Sequence, residues 1–89
     1  MLKPVYTKKF EKDLARVRKR GSDLDKIKVV IRALINEETL NPRLRNHKLR
    51  GNYQDRWECH IEPDWLLIYK IEQDRIIFER TGTHSDLFT

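Results

Sequence analysis

Apolar residues change their spacing along this chain, and each spacing predicts a different element. Between Thr7 and Gly21, Phe10, Leu14 and Val17 recur at helical intervals among basic residues; Thr7 suits the cap and Gly21 the stop. Ser22, with Asp25 three positions on, resembles a capping pair opening a second helix, whose apolar stripe is Leu24, Ile27, Val30, Ile31, Leu34 and Ile35. The very short connection folds the two into an antiparallel hairpin. From Arg56 to Ile71 the period shortens to that of strands, with two aromatic and branched runs flanking Glu62-Pro63-Asp64, where proline pre-sets a turn. Trp57, Cys59 and Ile61 share one face of the first arm, so Glu58, His60 and Glu62 share the other.

Glu72-Gln73-Asp74 reads as another short turn, and Arg75 to Thr81 as a third strand with Ile76 and Phe78 on one face and Ile77 on the other. Gly82 permits a bend that delivers Thr83 and His84 just past the strand end, and Asp86, Leu87 and Phe88 form a short tail. Leu2 to Tyr6 is at best an edge strand, because Pro4 lacks a ladder donor. Residues 36 to 52 read as a turn-rich loop without period, in which Arg43, Arg45, Lys48 and Arg50 bracket His47. The order predicts a single α+β domain over residues 1–89: an N-terminal strand, then a helical hairpin packed on an antiparallel sheet that ends in a three-strand meander. One sheet face is covered by the helices, which leaves the other face, or its rim, for function.

Eighty-nine residues allow one modest core that buries roughly 60 to 65% of the unfolded surface. No run of about 20 apolar residues exists, and Met1-Leu2-Lys3-Pro4 lacks the apolar centre of a signal peptide, so the expectation is a soluble cytoplasmic protein with no membrane partner. The single cysteine, Cys59, lies on the apolar face of a strand, which favours a buried small residue over a nucleophile. Net charge is +5, unevenly placed: residues 1 to 32 hold 11 Lys or Arg against 4 acids, and the remainder hold 8 against 10. A basic N-terminal half is an electrostatic footprint for RNA, DNA or an acidic protein segment, and charge alone does not choose among them.

The three histidines change the picture most. His47 sits in the basic loop, His60 on the polar face of a strand, and His84 just beyond a strand end; in a meander, His60, Asp64 and His84 can meet at one sheet edge. Imidazole takes or gives a proton near neutrality. Cleaving RNA without a metal requires a base for the ribose 2′-hydroxyl, an acid for the departing 5′-oxygen and cations for the phosphorane. The histidines with Asp64, and Arg80 with Lys48 and Arg50, match those needs, while Trp65 or Phe88 would stack on a splayed base. Zinc is disfavoured by the lack of close histidine spacing, and a two-metal nuclease by carboxylates diluted among arginines, so no cofactor is expected. Plain surface histidines are the simpler alternative.

Three runs carry a more specific signal: His47-Lys48-Leu49-Arg50-Gly51, His60 through Lys70, and Glu79 through Phe88. Together with the two-helix N-terminal half they resemble the YafQ branch of the RelE toxin superfamily over essentially the whole chain. The resemblance implies a toxin of a type II toxin–antitoxin pair: a ribosome-dependent endoribonuclease that cuts mRNA in the A site of the 70S ribosome without a metal, leaving a 2′,3′-cyclic phosphate and a 5′-hydroxyl. It implies His47, His60, Asp64 and His84 as catalytic residues; the division of labour favoured among them is His84 as general acid with His60 or Asp64 as base. Arg80 would support the phosphate and Phe88 would hold the mRNA. Glu58, where a relative has Asp, is given no role. Implied partners are a cognate antitoxin in a hetero-oligomer, ribosomal RNA against the basic helices, and operator DNA only through the antitoxin complex. The alternative is a non-catalytic module that binds nucleic acid or antitoxin and acts in operator autoregulation.

Overall fold

The computed structural model describes residues 1–51 and 55–88. In chain order the elements are β1 (Lys3–Tyr6), α1 (Lys8–Lys19), α2 (Leu24–Ile35), a 3₁₀ turn (Pro42–Leu44), β2 (His47–Lys48), β3 (Trp57–Glu62), β4 (Trp65–Glu72), β5 (Arg75–Gly82) and α3 (His84–Phe88). The five strands form one mixed sheet in the order β1-β5-β4-β3-β2. β3, β4 and β5 are the expected antiparallel meander, whereas β1 returns to the edge parallel to β5, a crossover that the two intervening helices make possible.

Thr7 caps α1 as its sequence suggests, its hydroxyl oxygen accepting from the Phe10 amide at 3.0 Å. At the other end Gly21 takes φ +85°, and the Gly21 and Ser22 amides donate back to the carbonyls of Arg18 and Val17, a left-handed closure that glycine adopts at little cost. The second helix starts one residue later than the Ser22 reading: Asp23 is the cap, accepting from the Asp25 amide at 3.0 Å. A carboxylate there also complements the helix dipole.

Phe10 and Val17 of α1, with Ile27, Val30 and Leu34 of α2, are buried against Cys59, Ile61, Trp65, Leu67, Tyr69, Ile76 and Phe78 of the sheet. Strand alternation sends Leu66 and Ile68 to the opposite face, where Leu87 of α3 covers them and Leu49 packs alongside. The tail is therefore a helix seated on the second face. Thr83 and Asp86 form a reciprocal cap for it: the Asp86 amide donates to Thr83 Oγ1 at 3.1 Å and the Thr83 amide to Asp86 Oδ2 at 3.0 Å. Gly82, at φ +153°, makes room for this cap, since a Cβ there would stand 2.8 Å from Asp86 Oδ2.

Within the loop of residues 36 to 52, two features have no sequence period: the 3₁₀ turn and the two-residue strand β2, which pairs His47 with Glu58 and Lys48 with Trp57. Residue 52 lies outside the described residues.

Candidate active site

The cluster is built on the sheet face opposite the helical hairpin. Glu58 and His60 alternate with the row of half-buried Trp57 and buried Cys59 and Ile61 and project to that face, where β2 adds His47 directly opposite Glu58. Leu87, buried on Leu66 and Ile68, fixes α3 alongside and so delivers His84 and Phe88 to the same rim. The rings line up: His47 to His60 at 6.2 Å between centroids, His60 to His84 at 5.9 Å, His84 to Phe88 at 6.4 Å.

Each histidine has a fixed partner. Asp64, at the β3–β4 turn, accepts through one oxygen from the His84 backbone amide at 2.9 Å and contacts His84 Nδ1 at 2.6 Å. Those bonds, the backbone one first, hold the Asp64 carboxyl below its usual range. With Nδ1 committed to Asp64, His84 presents Nε2 outward. His47 Nδ1 lies 2.7 Å from the Arg45 carbonyl, an acceptor only, so that nitrogen carries the hydrogen. Glu58, buried among these groups, places one oxygen 3.2 Å from His47 Nε2 and 3.4 Å from His60 Nε2. His47, Glu58 and His60 thus offer three ligand atoms within 4.8 Å of one another. Tyr69, its hydroxyl pushed up to about 12 by burial, donates to Asn46 Oδ1 at 2.7 Å and ties the loop before His47 to the core.

Other expected site residues are placed differently. Trp65 is corrected from base platform to core residue: it is 4% exposed and its indole N–H donates to Thr81 Oγ1 at 2.9 Å. Strand alternation puts Trp65 in the helix-side row of Leu67 and Tyr69 on β4. Lys48 stands on the other side of β2 from the imidazole row. As neighbours on a strand, it and His47 face opposite ways, and its ammonium sits 5.7 Å from the Trp57 ring centroid. Arg50 is exposed beyond β2.

Arg80 reaches buried Asp13 of α1 in a bidentate pair, at 2.6 Å from Nε and 3.2 Å from Nη2, and the Thr81 amide donates to the same carboxylate at 3.2 Å. Asp86 binds Arg20 at 2.6 and 3.0 Å and lies 3.5 Å from Arg16, so α1 braces both β5 and α3.

Glu58 and Asp13 were not assigned roles from sequence. Asp13 does carry a signal, since it interrupts the apolar row Phe10, Leu14, Val17 on the buried side of its helix. Glu58 carries none, because a glutamate on a polar strand face reads as solvated.

Residues 2–89 match the model of the family described as bacterial toxin of type II toxin-antitoxin system, YafQ. The chain belongs to the YafQ family. It is 39% identical over 84 residues to the mRNA interferase toxin YafQ of Escherichia coli K12, covering 93% of this chain and 91% of that protein. Its fold superposes on YafQ in the E. coli DinJ–YafQ complex with a TM-score of 0.93 at 37% identity, covering 100% of both chains. It superposes on a copper-bound mutant toxin from Helicobacter pylori with a TM-score of 0.94 at 39% identity, covering 99% of this chain and 100% of that one. The family match establishes a toxin of a toxin–antitoxin system, and among the described residues no helix is long and apolar enough to cross a membrane.

Proposed function

We propose that this YafQ-family toxin is a metal-independent endoribonuclease that cuts mRNA in the A site of the ribosome and is silenced by a cognate antitoxin. The observation that carries the reading is the three-imidazole row with a carboxylate on each flank. A phosphate between His60 and His84, whose rings lie 5.9 Å apart, is within hydrogen-bond reach of both at roughly 2.6 to 3.2 Å per bond.

His60 takes the proton of the ribose 2′-hydroxyl as that oxygen attacks phosphorus. The bond from phosphorus to the 5′-oxygen breaks, and His84 protonates the departing oxygen, leaving a 2′,3′-cyclic phosphate and a 5′-hydroxyl. Asp64 holds His84 through two contacts on one oxygen, which keep its carboxyl ionised and weakly basic, and this favours His60 over Asp64 as the base. His47, beside Glu58, and Arg80 steady the negative charge, and Phe88, 44% exposed next to His84, stacks on a base. The basic face of α1, with Lys8, Lys9 and Lys12, docks on ribosomal RNA. The E. coli relative is found in a DinJ–YafQ toxin–antitoxin complex, which supports the same class of partner for this chain.

The test is end-group analysis of mRNA cut on programmed ribosomes with a chelator present. Cyclic phosphate and 5′-hydroxyl ends at undiminished rate are expected; 5′-phosphate ends, or loss of cutting in chelator, would overturn the reading. A second reading concerns control. The His47–Glu58–His60 trio fits a soft divalent ion and the H. pylori relative is copper-bound, so an added copper or zinc ion would inhibit by occupying the lone pair His60 needs as base.

A further inference from the structure

β2 covers β3 only at Trp57 and Glu58, so among the described residues the side of β3 away from β4 has no strand paired to it from His60 onward. The 3₁₀ turn stands there instead, and between it and α2 runs a groove of about 740 Å³ with His60 at one end. Its apolar lining comes from buried Val30 and Ile61 with Leu44, and from exposed Val29, and Arg43 and Arg45 also line it. The one carboxylate of the lining, Glu62, is neutralised by Lys26 at 2.6 Å, which leaves the two guanidinium groups in excess.

Arg45 links the groove to the reaction centre. It holds φ +49°, a left-handed conformation unusual for a side-chain-bearing residue, and its carbonyl accepts the Nδ1 hydrogen of His47. The same strained turn therefore sets a catalytic imidazole and presents a cation to the groove. An apolar lining beside paired guanidinium groups suits a nucleotide, with the base on the apolar side chains and a phosphate on the guanidinium groups, and the volume lies within the range of small-ligand sites.

We infer that this groove seats the nucleotide on the 5′ side of the cleaved bond, so that RNA runs 5′ to 3′ from Arg43 and Arg45, past His60, to His84 and Phe88. The inference rests on the acid and base roles given above. The 2′-hydroxyl belongs to the 5′ nucleotide and must lie at His60; the departing 5′-oxygen belongs to the 3′ nucleotide and must lie at His84. His60 alone of the two lines the groove, so the strand upstream of the attacking ribose has this groove as its path.

The test uses the full chain, ¹⁵N-labelled, and a trinucleotide with 2′-O-methyl riboses, which lacks the nucleophile. A nitroxide is attached to its 5′ end in one sample and its 3′ end in another. The 5′ label should broaden the amides of Val29, Arg43 and Leu44, and the 3′ label that of Phe88. The reverse pattern, or no response at the groove, overturns the inference. So does a groove that responds to the antitoxin alone, because the face is then a protein-docking surface.

On programmed ribosomes, Arg43→Ala combined with Arg45→Ala should lower kcat/KM about 10-fold or more with kcat nearly unchanged, the loss expected of phosphate contacts held equally in ground and transition states. The Arg45 carbonyl that holds His47 survives this change. Unaltered kcat/KM would sink the groove assignment, while loss of cleavage in His84→Ala would leave the ribonuclease reading standing beside it.

Discussion

Replacing Asp13 with alanine separates what Arg80 does for the fold from what it does for the reaction. The Asp13 carboxylate is 2% exposed and accepts from Arg80 Nε, Arg80 Nη2 and the Thr81 amide. Removing it takes the carboxylate from a half-buried guanidinium and the acceptor from a buried amide, which costs about 3 to 5 kcal/mol for a broken buried pair. A chain of this size is stable by on the order of 5 to 10 kcal/mol, so Asp13→Ala sits close to its folding threshold. The melting temperature should fall by on the order of 15 to 30 °C.

Asp13→Leu combined with Arg80→Met removes both charges at similar volume and should recover most of that loss, short of about 1 to 2 kcal/mol for the Thr81 amide left without its acceptor. Urea titration followed by circular dichroism gives the stabilities, and cleavage on programmed ribosomes gives the rates. A folded double variant that cleaves 10²-fold or more slowly assigns Arg80 to the phosphate, a loss typical of one electrostatic donor to a transition state. Should Asp13→Ala unfold at wild-type urea, the buried pair would not brace β5 as described.

Three further outcomes follow from particular contacts. Trp65→Phe should cost about 2 to 3 kcal/mol, the bond to Thr81 plus the cavity left by the smaller ring, and leave the KM for mRNA unchanged, whereas a base platform would raise it. Asp86, whose carboxyl is held well below its ordinary 3.8 chiefly by Arg20, gives stability that is present above pH 4 and lost on acidification. The melting difference between wild type and Asp86→Asn should therefore be full at neutral pH and shrink on acidification; a pH-independent difference would refute it. Cys59, pushed up to about 12 by burial, should resist iodoacetamide at pH 8 until denaturant opens the core, as read by mass spectrometry.

Elements with a sustained period were legible in the sequence. The stripes of α1 and α2 and the alternation around Glu62-Pro63-Asp64 gave the helical hairpin and the meander, because each buries a face whose spacing the chain must keep. Proximity of His60, Asp64 and His84 was legible too, from strand lengths and the position of the turn. β2 was not, since two residues carry no period, and with it went the inward aim of His47 and the outward aim of Lys48. Trp65 misled because it stands at the first position of β4 beside a turn, where an aromatic reads as exposed, although alternation sets it in the buried row of Leu67 and Tyr69. The Thr83-to-Asp86 spacing held a capping signal for α3 that a tail of five residues did not otherwise suggest.

His84 as the proton donor to the departing oxygen is the step on which the proposed cleavage depends. On programmed ribosomes, His84→Ala should cut ordinary mRNA about 10² to 10⁴-fold more slowly than wild type. It should recover to within about 10-fold on mRNA whose scissile 5′-oxygen is replaced by sulfur, because a thiolate leaves without a proton. His60→Ala should gain nothing from that change. An equal defect of His84→Ala on both substrates would contradict the assignment.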